Sequence, residues 1–201
     1  DNTVEILAGT LTGNVYGGYA TTAGTPATTG TSPTAEISAL SNNSVTIGDK
    51  AEIKGDVYGA YAAADASNMT AATDSNTIDL YKAVIDGTLY GGMARDGAVS
   101  GKNNTLAVHA RGAKADDFVG VQNLHFYVPA GTTAADKETM LTLDNVAAPA
   151  GAAAATPTTK DLSHVNVGVQ LAGNRPSLKG GDAVSLIKVY EGNTTDATHA
   201  V

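Results

Sequence analysis

The 201-residue chain contains no cysteine. That removes disulfides, thiolate nucleophiles and thiolate-bound zinc together, and it is compatible with export through an oxidising compartment. Tryptophan is absent, there are two phenylalanines, and 23 residues are glycine, so the interior must be built from Ala, Val, Leu and Ile. Only 16% of residues are charged, with 12 basic against 20 acidic side chains and a net charge of -8. Nucleic-acid affinity rests on Lys and Arg, so a phosphate-backbone partner is excluded as a first reading. No apolar run approaches the roughly 20 residues of a membrane-spanning helix. Asp1 is followed by neither a basic segment nor an apolar signal core, which leads us to expect an excised piece of a longer protein whose targeting signals lie elsewhere. The length fits one ordinary domain.

What the sequence does have is a repeat. Each unit opens on Asn, a small hydroxyl residue and alternating apolar positions, and closes on an apolar-Tyr-Gly-small tail. The first copy starts Asn2-Thr3-Val4-Glu5-Ile6 and ends Val15-Tyr16-Gly17-Gly18-Tyr19-Ala20. The second starts Asn43-Ser44-Val45-Thr46-Ile47 and ends Val57-Tyr58-Gly59-Ala60-Tyr61-Ala62. The third starts Asn76-Thr77-Ile78-Asp79-Leu80 and ends Leu89-Tyr90-Gly91-Gly92-Met93-Ala94. From Asn to the first Tyr the spacing is 14, 15 and 14 residues, whereas the connections 21–42, 63–75 and 95–103 span 22, 13 and 9. The unit is constant and its connections are not.

Alternation of apolar and polar residues is the period of a strand with one buried face. A unit of about 20 residues with three short strands and glycine corners predicts one turn of a parallel β-solenoid, its equivalent residues about 4.8 Å apart along the axis. Stacking would align Tyr16, Tyr58 and Tyr90 in one aromatic ladder, and Tyr19, Tyr61 and Met93 in a second. Asn2, Asn43, Asn76 and Asn104 would pass amide hydrogen bonds along the stack. An antiparallel sandwich would mirror the register between consecutive strands, and it leaves the recurring Asn, Gly and Tyr unexplained. The recurring glycines are expected to supply unusual backbone angles at the corners.

A fourth unit begins at Asn104-Thr105-Leu106-Ala107-Val108 and then departs from the pattern, running through Phe118-Val119-Gly120-Val121-Gln122-Asn123-Leu124 to Pro129. Further alternation at 140–143, 165–169 and 184–189 predicts more strands. The Ala- and Pro-rich stretch 147–157 reads as a loop. Residues 1–103 are thus expected to form repeat units with variable loops, and 104–201 the terminal units and a cap over the exposed end, in one continuous domain.

The Val-Tyr-Gly-Gly units, the 118–124 turn and Gly180-Gly181-Asp182-Ala183-Val184-Ser185-Leu186-Ile187 resemble the C-terminal part of a Gram-negative autotransporter passenger. The resemblance implies a right-handed parallel β-helix, export through an outer-membrane β-barrel encoded in the same parent chain, and display at the cell surface or release from it. It implies no activity, because the family spans adhesins, proteases, lipases and plain stalks.

β-helix enzymes acting on polysaccharides need paired carboxylates or clustered Arg and Lys on one strand face. Asp56 and Asp86 read as one place in units two and three, with Asn14 there in unit one, and are the pair a carbohydrate-active enzyme would use. The blander reading of both is an outward turn. Asp65, Asp116 and Asp117 read as loop acids without repeated partners. His109, His125, His164 and His199 are scattered, His125 within an alternating strand, and no Gly-x-Ser-x-Gly elbow or His-x-x-x-His spacing occurs. Gly17-Gly18 and Gly91-Gly92 lack the following helix and Lys-Ser or Lys-Thr of a phosphate loop. We therefore expect no catalytic residue, no cofactor and no metal. The remaining candidate is the set of variable connections, which would leave the stack along one edge and form a lateral patch for a host-cell, matrix or glycan receptor. The longest, 21–42, carries an apolar island at Ile37 and Leu40.

Overall fold

A computed structural model of the chain describes residues 1–20, 40–63, 73–94, 98–146, 160–173 and 178–191, apart from the side chains of 145, 146 and 191. Among the described residues the chain is all-β, with no α-helix. Unit one is β1 (Thr3–Leu11) and β2 (Val15–Ala20), and unit two is β3 (Ser44–Ile53) and β4 (Val57–Ala62). Unit three is β5 (Thr77–Leu80), β6 (Val84–Ile85), β7 (Thr88–Tyr90) and β8 (Met93–Ala94). Unit four is β9 (Thr105–Val108), β10 (Ala113–Ala115) and β11 (Asp117–Val119). Then come β12 (Asn123–Val128), β13 (Leu141–Val146), β14 (Asn166–Leu171) and β15 (Ile187–Glu191).

Every pairing between these strands is parallel, and they form a ten-stranded and a five-stranded curled sheet. The larger sheet contains two sides of the stack. Its first side runs through β1, β3, β5, β9, β12 and β14, joining Thr3, Ser44, Thr77, Thr105, Asn123 and Asn166 in register. Its second side runs through the latter halves of β1 and β3, then β6, β10, β13 and β15. A register shift between Ile6 and Ala8 bends β1 from one side to the other. The third side is β2, β4, β7 and β11. This is the in-register parallel stacking of a β-solenoid, and the mirrored register of an antiparallel sandwich is absent from the named strands.

The alternation read from sequence places the core. Val45, Ile78, Leu106 and Leu124 form one inward column, and Ile47, Leu80, Val108 and Phe126 another, all 0% exposed. Val15, Val57, Leu89 and Phe118 supply the third side. Complete burial of such a side chain contributes about 1.5–3 kcal/mol, so small aliphatic residues suffice when every unit adds three or four.

The asparagine ladder is continuous. The Asn43 carboxamide oxygen accepts from Asn2 N (3.0 Å) and Nδ2 (2.9 Å), and that of Asn76 accepts from Asn43 N (3.0 Å) and Nδ2 (2.9 Å). The Asn104 oxygen accepts from Asn76 N (2.9 Å) and Nδ2 (3.2 Å), and Gln122 Oε1 then accepts from Asn104 N (2.9 Å). Gln122 is a fifth member that the Asn pattern did not reveal.

Two expectations are corrected. The repeat does not decay after Asn104: β9, β10 and β11 pair with β5, β6 and β7, so unit four has all three sides, with Val119 standing where Tyr90 stands. The recurring glycines of units one to three do not carry left-handed angles: these fall on Asn42, Ser75 and Asn103 (φ 58°, 57° and 59°), each just before a ladder asparagine, and on glycines outside the recurring places such as Gly9, Gly101 and Gly112. In unit four Gly120, at the place of Gly91, does have a positive φ (68°). Glycine is required instead by close approach: a Cβ on Gly59 would lie 2.5 Å from Gly91 O and 2.8 Å from Asn76 Cβ. Val167, Val169 and Leu171 of β14, in the inward columns, are 48%, 55% and 43% exposed, and the expected cap falls partly on residues 147–159, 174–177 and 192–201, which lie outside the described residues.

Candidate functional site

The backbone register fixes where the variable connections leave. Ala20, Ala62 and Ala94 are aligned on the third side, and each precedes one of them. The connections return just before Asn43, Asn76 and Asn104 on the first side. They therefore leave and rejoin the stack at equivalent points in three consecutive units. Residues 21–39, including Ile37, lie outside the described residues, as do Asp65, His199 and the loop 147–157.

Leu40 does not belong to a surface island. It is 0% exposed against Ala20, Ala60 and Ala62, and its carbonyl accepts from Asn76 Nδ2 (3.0 Å). The variable part of the first connection therefore stops before Leu40, whose side chain fills the space between small residues of two units.

Beside these exits lies the tyrosine face. Tyr16, Tyr58 and Tyr90 stack with centroids 4.9 and 4.8 Å apart and ring planes within 11° and 8°. Tyr19 and Tyr61 stack at 5.8 Å, and Met93 is in register with Tyr61. The rings cover one another's faces, so this surface offers mainly ring edges. Burial, and then the neighbouring Asp56 carboxylate, pushes the Tyr58 phenol well above the ordinary tyrosine range.

Asp56 and Asp86 are not one place in successive units. Ile53 pairs with Ile85, which puts Asp86 opposite Lys54, and the two form an ion pair at 2.8 Å. Asp56 instead accepts from Tyr58 Oη (3.0 Å) and from Thr88 N (2.8 Å), while Asn14 Oδ1 accepts from Asp56 N (2.9 Å). The two aspartates flank the conserved-length corner on opposite sides of its glycine, Asp56 after Gly55 and Asp86 before Gly87, which is why the pattern aligned them wrongly. Lys54 also pairs with Glu52, and that hydrogen bond holds the Glu52 carboxyl below its ordinary range.

Asp117 is likewise no loop acid. It lies in β11 opposite Thr88, 8% exposed, with its carboxylate 2.7 Å from Lys160 Nζ and accepting from Phe118 N (2.7 Å). Lys160 also sits 4.6 Å from the Phe118 ring centroid. The half-buried cation is thereby matched to a carboxylate and a ring face.

No protein-family model matches the chain, and no curated protein or solved structure matches it.

The histidines divide by environment. His109 lies between Tyr81 (4.9 Å) and Tyr127 (4.5 Å) in a ring stack running from the end of β5 past the end of β9 to β12, and its Nε2 is 2.8 Å from Asp79 Oδ1. The sequence signal for that stack was available: each ring directly follows a residue of the Leu80, Val108 and Phe126 inward column, as Leu80-Tyr81, Val108-His109 and Phe126-Tyr127. His125 is half-buried on the outward face of β12, between Ala107 and Gly168. His164 is exposed. Among the described residues no three His, Asp or Glu side chains converge as a metal site.

Proposed function

We propose that the chain is a stretch of right-handed parallel β-helix from a Gram-negative autotransporter passenger, displayed at the cell surface or released from it, and acting without catalysis as an adhesin or its stalk. The observation that carries this reading is the aligned departure of three connections of unequal length from equivalent points of a rigid stack. A scaffold of this kind fixes where loops project while leaving their length and composition free. Handedness follows from a general rule: parallel strands of one sheet joined by crossovers are connected right-handedly in about 98% of cases. The parent chain would supply the outer-membrane barrel, and the partner would be a host-cell, matrix or glycan receptor. The polysaccharide-enzyme reading loses its motivation, since Asp56 and Asp86 are separated by register and each is engaged in the stack.

The test is binding of the labelled chain to cultured cells and matrix-coated wells, with residues 21–39 exchanged for a Gly-Ser linker of equal length. Retention by the parent chain and loss in the exchanged chain, at unchanged melting temperature, is the expected result. No retention of the parent chain on any surface would overturn the adhesin reading, and the coding sequence beyond Val201 lacking amphipathic barrel strands would overturn the autotransporter route.

A further inference from the structure

On the third side a column of polar residues runs beside the tyrosine ladder: Asn14, Asp56, Thr88 and Asp117 follow one another in register. In units one and two this residue is engaged by the ring two places further along its own strand. Asn14 Nδ2 donates to Tyr16 Oη (3.1 Å), and Tyr58 Oη donates to Asp56 Oδ2 (3.0 Å). Unit four has Val119 at the place of that ring, so Asp117 has no phenol of its own strand beside it. Lys160 supplies the partner instead, from a segment 43 residues further along the chain.

Its surroundings set this pair apart from the surface ion pairs. The Lys160 and Asp117 side chains are 16% and 12% exposed, whereas Lys54, Glu52, Asp86, Lys82 and Glu138 are all at 40% or more. Lys160 Nζ lies 2.7 Å from Asp117 Oδ1, donates to Phe118 O, and sits against the Phe118 ring. The same Oδ1 accepts from Phe118 N at 2.7 Å. The neighbouring Asp161 carboxylate is engaged by Ser163 N (2.8 Å).

An amide condensation uses the same parts. A lysine nitrogen is fixed at a carboxyl group, a backbone N–H polarises one carboxyl oxygen, a backbone carbonyl orients the nitrogen, and a ring limits the access of water. Groups held at such a separation react as though at ~10⁵–10⁸ M, which offsets the mass action of water. We propose that Lys160 and Asp117 join in an intramolecular isopeptide bond. A proton passes from the Nζ ammonium to Asp117 Oδ2, leaving an amine and a carboxylic acid. Nζ then attacks Cγ, Phe118 N–H stabilises the charge that develops on Oδ1, and Oδ2 departs as water with a second proton from Nζ. One C–N bond forms, one C–O bond breaks and one water leaves, so no oxidant or activated donor is required. In a chain without cysteine this bond is a covalent staple that a disulfide cannot provide, and it ties residue 160 to β11. It goes beyond the adhesin reading and does not depend on it.

The experiment is the intact mass of the folded chain, measured on purification and again after prolonged incubation in neutral buffer, followed by peptide mapping. A mass lower than that of the sequence by one water is expected, with the loss mapped to a branched peptide that joins residues 117 and 160. Asp117→Ala and Lys160→Met should each keep the full mass of their sequences. Asp117→Asn should release ammonia in place of water and reach the same product mass as the parent chain. The full sequence mass in the folded parent chain after incubation overturns the proposal and leaves an ion pair. So does a lost water mapped to Asp86-Gly87, where closure of a cyclic imide also expels water. The parent chain's own mass decides the matter, so the test survives if a variant fails to fold.

Discussion

Replacing Asn76 with Ala tests the ladder at its most buried point. Asn76 is 0% exposed and takes part in side-chain hydrogen bonds in both directions along the stack. Its oxygen accepts from Asn43 N and Nδ2, and its Nδ2 donates to Leu40 O (3.0 Å), Thr73 O (2.8 Å) and Asn104 Oδ1 (3.2 Å). Alanine removes the acceptor of Asn43 N and Nδ2 and the donor to the Leu40 and Thr73 carbonyls, at a place water does not reach. Each stranded buried group costs about 1–3 kcal/mol, less what relaxation recovers. The expected loss is about 3–6 kcal/mol, which for a chain of this size lowers the melting temperature by roughly 6–20 °C. Asn2→Ala is the internal control: Asn2 is exposed, where water can replace the side-chain hydrogen bond it gives to Asn43 Oδ1, so its loss should be below about 1 kcal/mol. Urea unfolding followed by circular dichroism measures both. Equal losses, or a loss under about 1 kcal/mol for Asn76→Ala, would refute the claim that the ladder stabilises the stack from within.

Other outcomes follow from the same geometry. Gly59→Ala should cost at least the 1–3 kcal/mol of overpacking, because its Cβ meets Gly91 O and Asn76 Cβ, whereas Gly13→Ala, with nothing within 4 Å, should be nearly neutral; parallel melting curves decide it. Leu40→Ala should cost about 2–5 kcal/mol in the same assay, while exchange of residues 21–39 for a linker leaves stability intact. Tyr58 holds its proton in the folded chain at pH values where the unfolded chain, with tyrosine near 10, has lost it. The folded state then binds more protons than the unfolded one, so stability is full below about pH 10 and falls as pH rises above it. Tyr58→Phe should flatten that alkaline loss in pH-dependent urea midpoints, and an unchanged slope would show that the phenol is not buried by the stack.

The parts of the fold legible in sequence are those where one residue type recurs at one place. Asn2, Asn43, Asn76 and Asn104 and the tyrosine columns announced the stacking because a ladder rewards identical neighbours. Where the stack demands only volume or shape, identity changes and the signal fades. Phe118 and Val119 fill the places of Leu89 and Tyr90, and Gln122 extends the ladder with a longer arm, so unit four looked like a departure. The glycines were found but for the wrong reason, since sequence cannot distinguish a residue needed for its backbone angle from one needed for its missing Cβ. Asp56 and Asp86 show the limit at the site: a one-residue corner with an acid on either side of its glycine can be aligned two ways, and only register separates a carboxylate pair from an ion pair.

In-register parallel stacking is tested most directly by disulfide trapping, in a chain that has no cysteine of its own. Ser44 and Thr77 are paired partners on the outward face of neighbouring units, within the distance a disulfide spans, whereas Ser44 and Asp79 are offset by two residues and beyond it. Ser44→Cys with Thr77→Cys should oxidise to an intramolecular bridge in the folded state, and Ser44→Cys with Asp79→Cys should not. Efficient bridging of the offset pair, or none in the aligned pair, would contradict the stack.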